Sequence, residues 1–258
     1  NSKGDFLPHY QSIKHIGKLL KYINTKLSRT HKLNDITIGL YLPYYQTETM
    51  SNNWQMQMQS EMINNFFDGM CRGLRIAGYS FNIIDLQKIS EEELFTIEHL
   101  WVFSLEWMDS ETQTKLINYL ENNGNLLLNP DVPDKDLLNN PETILKDYLK
   151  IDLRNKHREN IVYDGLEIFQ GRENRALITT EKVDVIAVGL NSKNIYGIQK
   201  LIKTNKVIIL SASLNHLFDY TIELIDKLMK RFSIDKIIEI SPVDIIEVHR
   251  FNDLDEGF

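Results

Sequence analysis

The sequence has 258 residues, 42% of them hydrophobic, which suffices for one large α/β domain or two small ones. Its formal charge of −7, without any cluster of five or more basic residues, argues against nucleic-acid binding, and no apolar run approaches the roughly 20 residues that a membrane span needs. The single cysteine, Cys71, excludes an internal disulfide and a cysteine-based zinc site, and its free thiol fits the cytoplasmic location that we expect.

The first elements along the chain are a helix, a strand and a second helix. Apolar residues between Tyr10 and Leu27 recur at three- and four-residue spacing, which is typical of one helix face. The run Asp35–Leu42 is rich in β-forming residues, and Pro43 is expected to end it. A long helix is predicted from Trp54 to Ala77, with Gly78 as its C-terminal cap.

Strands and helices then alternate over some fifty residues. Ser90 and Glu93 have the spacing of a capping box, and Asp109 or Ser110 is expected to cap the next helix. Pro130 is expected to end the fourth strand. Strands that are separated by helices require crossover connections, so the pattern predicts a doubly wound, mainly parallel sheet. The predicted strands are Tyr79–Asp85, His99–Phe103 and Asn125–Leu128.

A change of pattern divides the chain into three parts. Short strand-like pieces separated by Gly and Asn turns predict a small antiparallel insertion over residues 150–205. The run Lys206–Ser211 returns to the buried-strand pattern, and Tyr220–Phe232 is an amphipathic helix. We therefore expect a linker over 1–34, one domain over 35–236 and a strand-rich exit over 237–258, within a longer polypeptide.

Residues that follow the predicted strands are the first candidates for a site, because open parallel sheets bind ligands beyond the carboxyl ends of their strands. No glycine-rich phosphate loop occurs among them, so no nucleotide cofactor is expected. Four aromatic residues in these regions either stack on sugar rings or pack the mouth of the sheet or an interface. They are Tyr44, Tyr45, Trp54 and Trp107.

Two groups of carboxylates have both a chemical and a structural interpretation. Asp131, Asp134 and Asp136 are able to collect a metal ion, but a proline-containing acidic loop is more often a turn. Glu106 and Asp109 would be the paired carboxylates of a glycosidase, but they are close on one loop and Asp109 is explained as a helix cap. We expect neither a metal nor a catalytic pair.

The two remaining candidates also lack a catalytic partner. Cys71 lies within a predicted helix, away from any strand-to-helix elbow that would expose a thiolate, and is expected to be structural. His216 follows a predicted strand, but no activated serine or cysteine can be assigned to it.

Three segments in order resemble the trimerisation domain of family-42 β-galactosidases and related family-35-like enzymes. The segments are Gly78–Asp85, His99–Gly124 and Asn129–Asp136, which correspond to strand, strand-turn-helix and loop of that domain. At the two ends, Leu7–Gly17 is similar to the segment that leaves the catalytic barrel, and Val248–Asn252 to the start of a C-terminal β-domain.

This resemblance implies a flavodoxin-like fold of class I glutamine-amidotransferase type without the amidotransferase chemistry. The elbow that carries the catalytic cysteine in amidotransferases corresponds to Asn129-Pro130-Asp131, and neither Pro130 nor Asp131 supplies a thiolate. His216 falls near the position of the amidotransferase histidine but has no nucleophile to activate. No catalytic residue is therefore carried over.

The function that the resemblance implies is assembly. We expect a non-catalytic domain of a multidomain glycoside hydrolase that acts on β-galactosides or similar β-glycosides such as glucosaminides. Its partners would be its own catalytic barrel and neighbouring subunits, in a trimer first and a dimer second. Two alternatives stay open, a carbohydrate-binding module and an amidotransferase-like hydrolase.

Overall fold

A computed structural model describes residues 14–18, 20–21, 30–46, 67–122, 124–170, 173–212, 220–235 and 250–253. The chain divides into two compact units, a small one from Asn1–Asn34 with Val248–Phe258 and a large one, Asp35–Glu247. In the small unit, residues 14–18 and 20–21 are helical, and β1 (Thr30–Leu33) pairs antiparallel with β13 (Arg250–Asp253). The strand predicted over residues 237–248 lies outside the described residues.

Five parallel strands form one part of the sheet in the large unit. They pair in the order β3-β2-β4-β5-β12, so the alternation of strands and helices places neighbouring strands in parallel, as predicted. Their bounds are β2 (Ile36–Leu40), β3 (Phe81–Asp85), β4 (His99–Ser104), β5 (Asn125–Pro130) and β12 (Asn205–Leu210).

Six further strands extend this sheet with antiparallel pairing. Strand β11 pairs antiparallel with β12, so the described residues form one mixed sheet of 11 strands. Strands β6 and β11 were not predicted. Residues 150–205, which were predicted to form a separate antiparallel insertion, continue the sheet instead. The bounds are β6 (Ile151–His157), β7 (Ile161–Tyr163), β8 (Leu166–Ile168), β9 (Asn174–Thr179), β10 (Asp184–Gly189) and β11 (Ile195–Ile202).

Helices connect the parallel strands, and their predicted caps are confirmed. The Ser90 side chain and Glu93 form a capping box, and the Asp109 carboxylate accepts the N–H of Thr112. Gly78 has φ +84° and closes the helix at residues 67–76, where the amide of residue 79 bonds back to residue 74. The other helices are α1 (Pro43–Gln46), α2 (Glu91–Leu94), α3 (Ser110–Glu121), α4 (Ile144–Tyr148) and α5 (Tyr220–Arg231).

The core lies in the central parallel strands, which are apolar on both faces. Trp101, Leu127 and Ile208 are fully buried in three neighbouring strands. Helices α3 and α5 contribute buried side chains, including Leu116 and Leu228. Burial of each large apolar side chain contributes about 1.5 to 3 kcal/mol relative to its exposure. No helix within the described ranges is long and apolar enough to cross a bilayer.

Two predicted strand ends need correction. Strand β5 ends at Pro130, as predicted, but it includes Asn129 and Pro130, two residues beyond the predicted Leu128, and Pro130 is paired with Ser104. The strand tolerates Pro130 because proline is its last residue, so the missing N–H falls where the ladder ends. Pro43 follows β2 as predicted, but it begins the short helix α1, where the fixed φ of proline suits the first turn.

Candidate functional site

The carboxyl ends of the five parallel strands lie at one edge of the sheet, where open α/β sheets bind ligands. We call this region the carboxyl edge. It consists of the segments 41–45, 85–87, 104–109, 129–135 and 211–212. Aromatic packing and ion pairs occupy most of these segments.

An aromatic cluster fills the space between the segments after β2 and β4. The ring of Tyr44 makes edge contacts with Tyr41, Phe103 and Trp107 at centroid distances of 4.8, 6.1 and 5.9 Å. The Tyr44 hydroxyl accepts the N–H of Leu105 at 3.0 Å. Because ring and hydroxyl both have partners inside the protein, the cluster packs the mouth of the sheet.

Tyr44 is fully buried, so of the two interpretations of the aromatic residues it fits the one in which they pack the mouth of the sheet. Tyr45 is half-buried and packs against Phe67, with ring centroids 6.0 Å apart. Trp107 is also half-buried. Trp54 lies outside the described residues, so its predicted contact stays a prediction.

The segment Asn129-Pro130-Asp131 is buried and bonded to the segment that ends the neighbouring strand β12. The side-chain amide of Asn129 donates to the carbonyls of Leu210 and Ala212 at 2.7 and 2.6 Å. Pro130 and Asp131 are both buried. The segment therefore joins β5 to β12 and presents no thiol or hydroxyl nucleophile. His216 lies outside the described residues.

Arg175 on β9 neutralises the acidic loop after β5. Its Nε lies 2.9 and 3.0 Å from the two carboxylate oxygens of Asp131, and its Nη1 lies 2.6 Å from Asp134. Its Nη2 donates to the carbonyl of Val132 at 2.5 Å. Burial opposes the charge, but the two carboxylates outweigh this effect and raise the pKa of Arg175. Asp131 and Arg175 are thus a buried ion pair, 6% and 7% exposed.

Glu106, like Asp131, forms ion pairs within the protein, and its partners are two lysines. Lys156 on β6 lies 2.7 Å from one carboxylate oxygen, and Lys135 lies 3.3 Å from the other. Burial favours the neutral acid, but the two ammonium groups outweigh it and lower the pKa of Glu106. A glycosidase acid needs a raised pKa, so Glu106 is unsuited to that role.

Asp109 serves the fold, as predicted. One oxygen accepts the N–H of Thr112 at 2.7 Å as the α3 cap, and the other accepts the hydroxyl of Tyr41 at 2.5 Å. Burial opposes ionisation, but these hydrogen bonds outweigh it and lower the pKa of Asp109. Glu106 and Asp109 therefore have separate partners.

Cys71 is partly buried on the helix at residues 67–76 and packs against the core. Burial raises the pKa of its thiol to about 11, with a smaller opposing effect of Arg75 and a reinforcing effect of Asp68. A nucleophilic cysteine needs a lowered pKa. The environment thus favours the structural interpretation.

The acidic residues considered for a metal also have protein partners. Asp131 and Asp134 bind Arg175, while Asp136 accepts the amides of Leu138 and Asn140, each at 2.8 Å, within its own turn. Among the residues that the structure describes, no group of three or more His, Cys, Asp or Glu side chains is arranged to hold a metal ion.

The sequence did not predict the cations that close the carboxyl edge. Arg175 lies in the run Asn174-Arg-Ala-Leu-Ile-Thr179, where a charged residue at a strand position next to apolar ones was the available signal. Lys156 lies in the unpredicted strand β6. Both side chains reach the acidic segments through long-range contacts, with sequence separations of 50 residues for Lys156–Glu106 and 44 residues for Arg175–Asp131.

A family model described as "GLMA-like, second domain" matches residues 49–188, more than half of the chain. Among curated relatives, the chain is 30% identical to a β-1,2-glucosyltransferase from Ignavibacterium album, over 94% of this chain and 36% of that protein. It is 32% identical to an exo-β-D-glucosaminidase from Pyrococcus horikoshii, over 59% of this chain and 20% of that protein. The chain thus spans about a third or less of these relatives.

Solved structures of family-42 β-galactosidases share the fold. A catalytic mutant of such an enzyme from G. stearothermophilus superposes with a TM-score of 0.70 at 11% identity, over 89% of this chain and 34% of that chain. The β-galactosidase from Bacillus circulans sp. alkalophilus gives a TM-score of 0.66 at 11% identity, over 87% and 35%. The resemblance inferred from the three sequence segments is confirmed.

Proposed function

Because this chain belongs to the GLMA-like second-domain family, we propose that it is a non-catalytic assembly domain of a multidomain glycoside hydrolase of β-galactosidase type. The observation that supports this function is the closed carboxyl edge. The buried pair of Arg175 and Asp131 lies at the end of β5, in the segment that the resemblance equates with the amidotransferase elbow. A site that is filled by its own side chains has no room for a substrate.

The carboxylates of the carboxyl edge also lack the arrangement that glycoside hydrolysis requires. That reaction uses two carboxyl groups on either side of the bond, one of them with a raised pKa. Here Glu106, Asp109 and Asp131 are each bonded to protein partners. The catalytic carboxylates of the whole enzyme would accordingly lie in another domain.

The relatives suggest which sugars the whole enzyme uses. Two of them carry the name exo-β-D-glucosaminidase and one the name β-1,2-glucosyltransferase. All three names denote chemistry at a β-glycosidic bond. We propose that the parent acts on a β-linked galactoside, glucoside or glucosaminide, by hydrolysis or by glycosyl transfer.

The strand order agrees with this proposal, and the proposal assigns roles to the two ends of the chain. The five parallel strands have the order 2-1-3-4-5 in sequence terms, which is that of flavodoxin-like, doubly wound sheets. Residues 1–34 would link an upstream barrel to this domain, and residues 237–258 would lead to a C-terminal β-domain.

Assembly is the proposed role of the surface, with a trimer first and a dimer second. Leu137 and Leu138 are 49% and 83% exposed on a turn that Asp136 holds in place. Two neighbouring leucines on a fixed turn suit a contact with the catalytic barrel or another subunit. Light scattering over a wide concentration range would test this role. A mass of one subunit at every concentration would contradict self-association.

The activity test uses the purified chain and chromogenic β-galactoside, β-glucoside and β-glucosaminide substrates. We expect no turnover above that of buffer. The matched control is Glu106→Gln, which removes the carboxylate nearest to the lysines of the carboxyl edge. Turnover that the unmodified chain shows and the control loses would place catalysis in this domain and contradict the proposal.

A further inference from the structure

A polar groove is lined by residues of β6, β9 and β11 and by Asn194, and none of the aromatic-cluster residues lines it. It is a groove open to solvent with a volume of about 500 Å³, and residues 154–157 in its lining are exposed. Ala176 and Tyr196, both almost fully buried, lie along its floor. Arg154, Lys156 and Asn194 line its walls.

A β-bulge shapes this groove. Leu153 pairs with Leu177 and Lys156 with Arg175, so two residues of β6 lie opposite the single residue Ala176 of β9. Bulges redirect side chains and are frequent beside functional sites. The first residue of this bulge is Arg154, and both Arg154 and the opposite residue Ala176 line the groove.

The Arg154 guanidinium is oriented by a neutral partner. Its Nη1 donates to Oδ1 of Asn194 at 2.6 Å across the groove. Within the described part of the chain, no carboxylate lies within ion-pair distance of Arg154, and no carboxylate lines the groove. The other basic lining residues are His157 and Lys156, and Lys156 is bonded to Glu106. Because Glu106 neutralises Lys156, Arg154 is the arginine or lysine of the groove lining that has no carboxylate partner among the described residues.

We propose that this groove binds a small ligand through a phosphate or carboxylate group, with Arg154 as the anchoring residue. A guanidinium has five donors in a planar fork and binds oxyanions in a bidentate manner. Asn194 occupies one donor and fixes the plane, which leaves the remaining N–H groups for the ligand. Tyr196 is 1% exposed, so its ring offers no stacking platform for an uncharged sugar. The anionic group, rather than the sugar ring, is what this site recognises.

Calorimetric titrations at constant ionic strength would test this site on the full chain. The probes are inorganic phosphate, glucose 6-phosphate and glucuronate, with glucose as the uncharged control. Saturable binding of the charged probes and none of glucose is expected, and the preferred probe tells whether phosphate or carboxylate is the natural group. Arg154→Gln should weaken binding at least about tenfold, which is the effect of one charged hydrogen-bonded contact.

Arg158→Gln is the matched control, because Arg158 is exposed on the same segment but lies outside the groove lining. It removes the same charge and should change the affinity by less than about twofold. Asn194→Ala, which frees the guanidinium plane, should have an intermediate effect. Equal losses in Arg154→Gln and Arg158→Gln would indicate a diffuse field and overturn the site. Absence of saturable binding by correctly folded unmodified chain, checked by circular dichroism, would overturn it as well.

Discussion

Replacement of Arg175 by methionine tests the energetic basis of the closed carboxyl edge. Methionine keeps much of the side-chain volume and removes the charge together with every hydrogen bond of the guanidinium. Asp131 is 5% exposed, so the substitution leaves a buried carboxylate without its cation. Removal of one partner from a buried ion pair typically costs about 3 to 5 kcal/mol. This is a large share of the roughly 5 to 15 kcal/mol by which domains are stable.

Urea unfolding, monitored by the fluorescence of the three tryptophans, of which Trp101 is fully buried, measures this loss. We expect the free energy of unfolding to fall by about 3 to 5 kcal/mol in Arg175→Met. Arg72→Met is the matched control, since Arg72 has an exposed ion pair with Asp68 on a helix surface. Such pairs contribute only about 0.3 to 0.5 kcal/mol.

A double variant separates charge from packing. If the penalty comes from the uncompensated carboxylate, Asp131→Asn added to Arg175→Met should recover about 1 to 3 kcal/mol. If lost packing is the cause, it should recover nothing. A cost below about 1 kcal/mol for Arg175→Met alone would refute the reasoning, because it would mean that water solvates this pair.

Three further predictions concern packing, thiol reactivity and acid stability. Gly124→Ala should lower the free energy of unfolding in urea by about 1 to 3 kcal/mol, because the new Cβ would lie 2.1 Å from the buried ring of Tyr119. An unchanged midpoint of urea unfolding would contradict this packing. Cys71, whose pKa is raised to about 11, should react slowly with Ellman's reagent at pH 8 in the folded chain and quickly in urea. Rapid labelling of the folded chain would instead indicate an activated thiol. The pKa of Glu106 is lowered on folding, so its contribution to stability is complete above the unfolded-state pKa, about 4.3, and is lost as the pH falls through the folded-state value. Glu106→Gln should therefore flatten the acid limb of stability against pH, and an unchanged limb would show that Glu106 is not involved.

The parallel part of the fold was predictable because its signals are local. The strands over 99–103 and 125–128 are nearly continuous apolar runs, and Ser90 and Asp109 have the spacing of helix caps. Fully buried strands appear as apolar runs and helix caps as fixed residue spacings, and neither signal depends on distant contacts. The parallel pairing is equally local in origin, because a helix between two strands is long enough to cross back over the sheet.

Two strands were missed because their environment is different. Strand β6 is polar over Arg154–His157 and pairs only with β9, so much of it faces solvent and no apolar run marks it. Strand β11 includes Gly197 and Lys200, which interrupt the pattern although both are buried. The ammonium group of Lys200 donates hydrogen bonds to Glu181 and to a backbone carbonyl, which compensates for its burial, and such long-range partners are not visible in sequence.

The sequence predicted where the candidate site lies but not which side chains fill it. The sequence located the carboxyl edge and showed that Asn129-Pro130-Asp131 cannot act as a nucleophile elbow. The closure by Arg175 depends on a contact between residues 44 positions apart, which no local pattern encodes. Aromatic residues after a strand are compatible with either the surface or the interior, so the burial of Tyr44 was not predictable from its position in the chain.

Hydrogen exchange of residues 131–135 tests the closed carboxyl edge most directly. The amides of Asp131 and Val132 bond to Ser104 O and to an Asp131 side-chain oxygen, and those of residues 134 and 135 bond to Glu106 O. A peptide that covers this loop should therefore exchange nearly as slowly as the neighbouring strand β5 in mass spectrometry. Exchange as fast as that of an exposed loop would contradict the account, because it would show that this edge is open in solution.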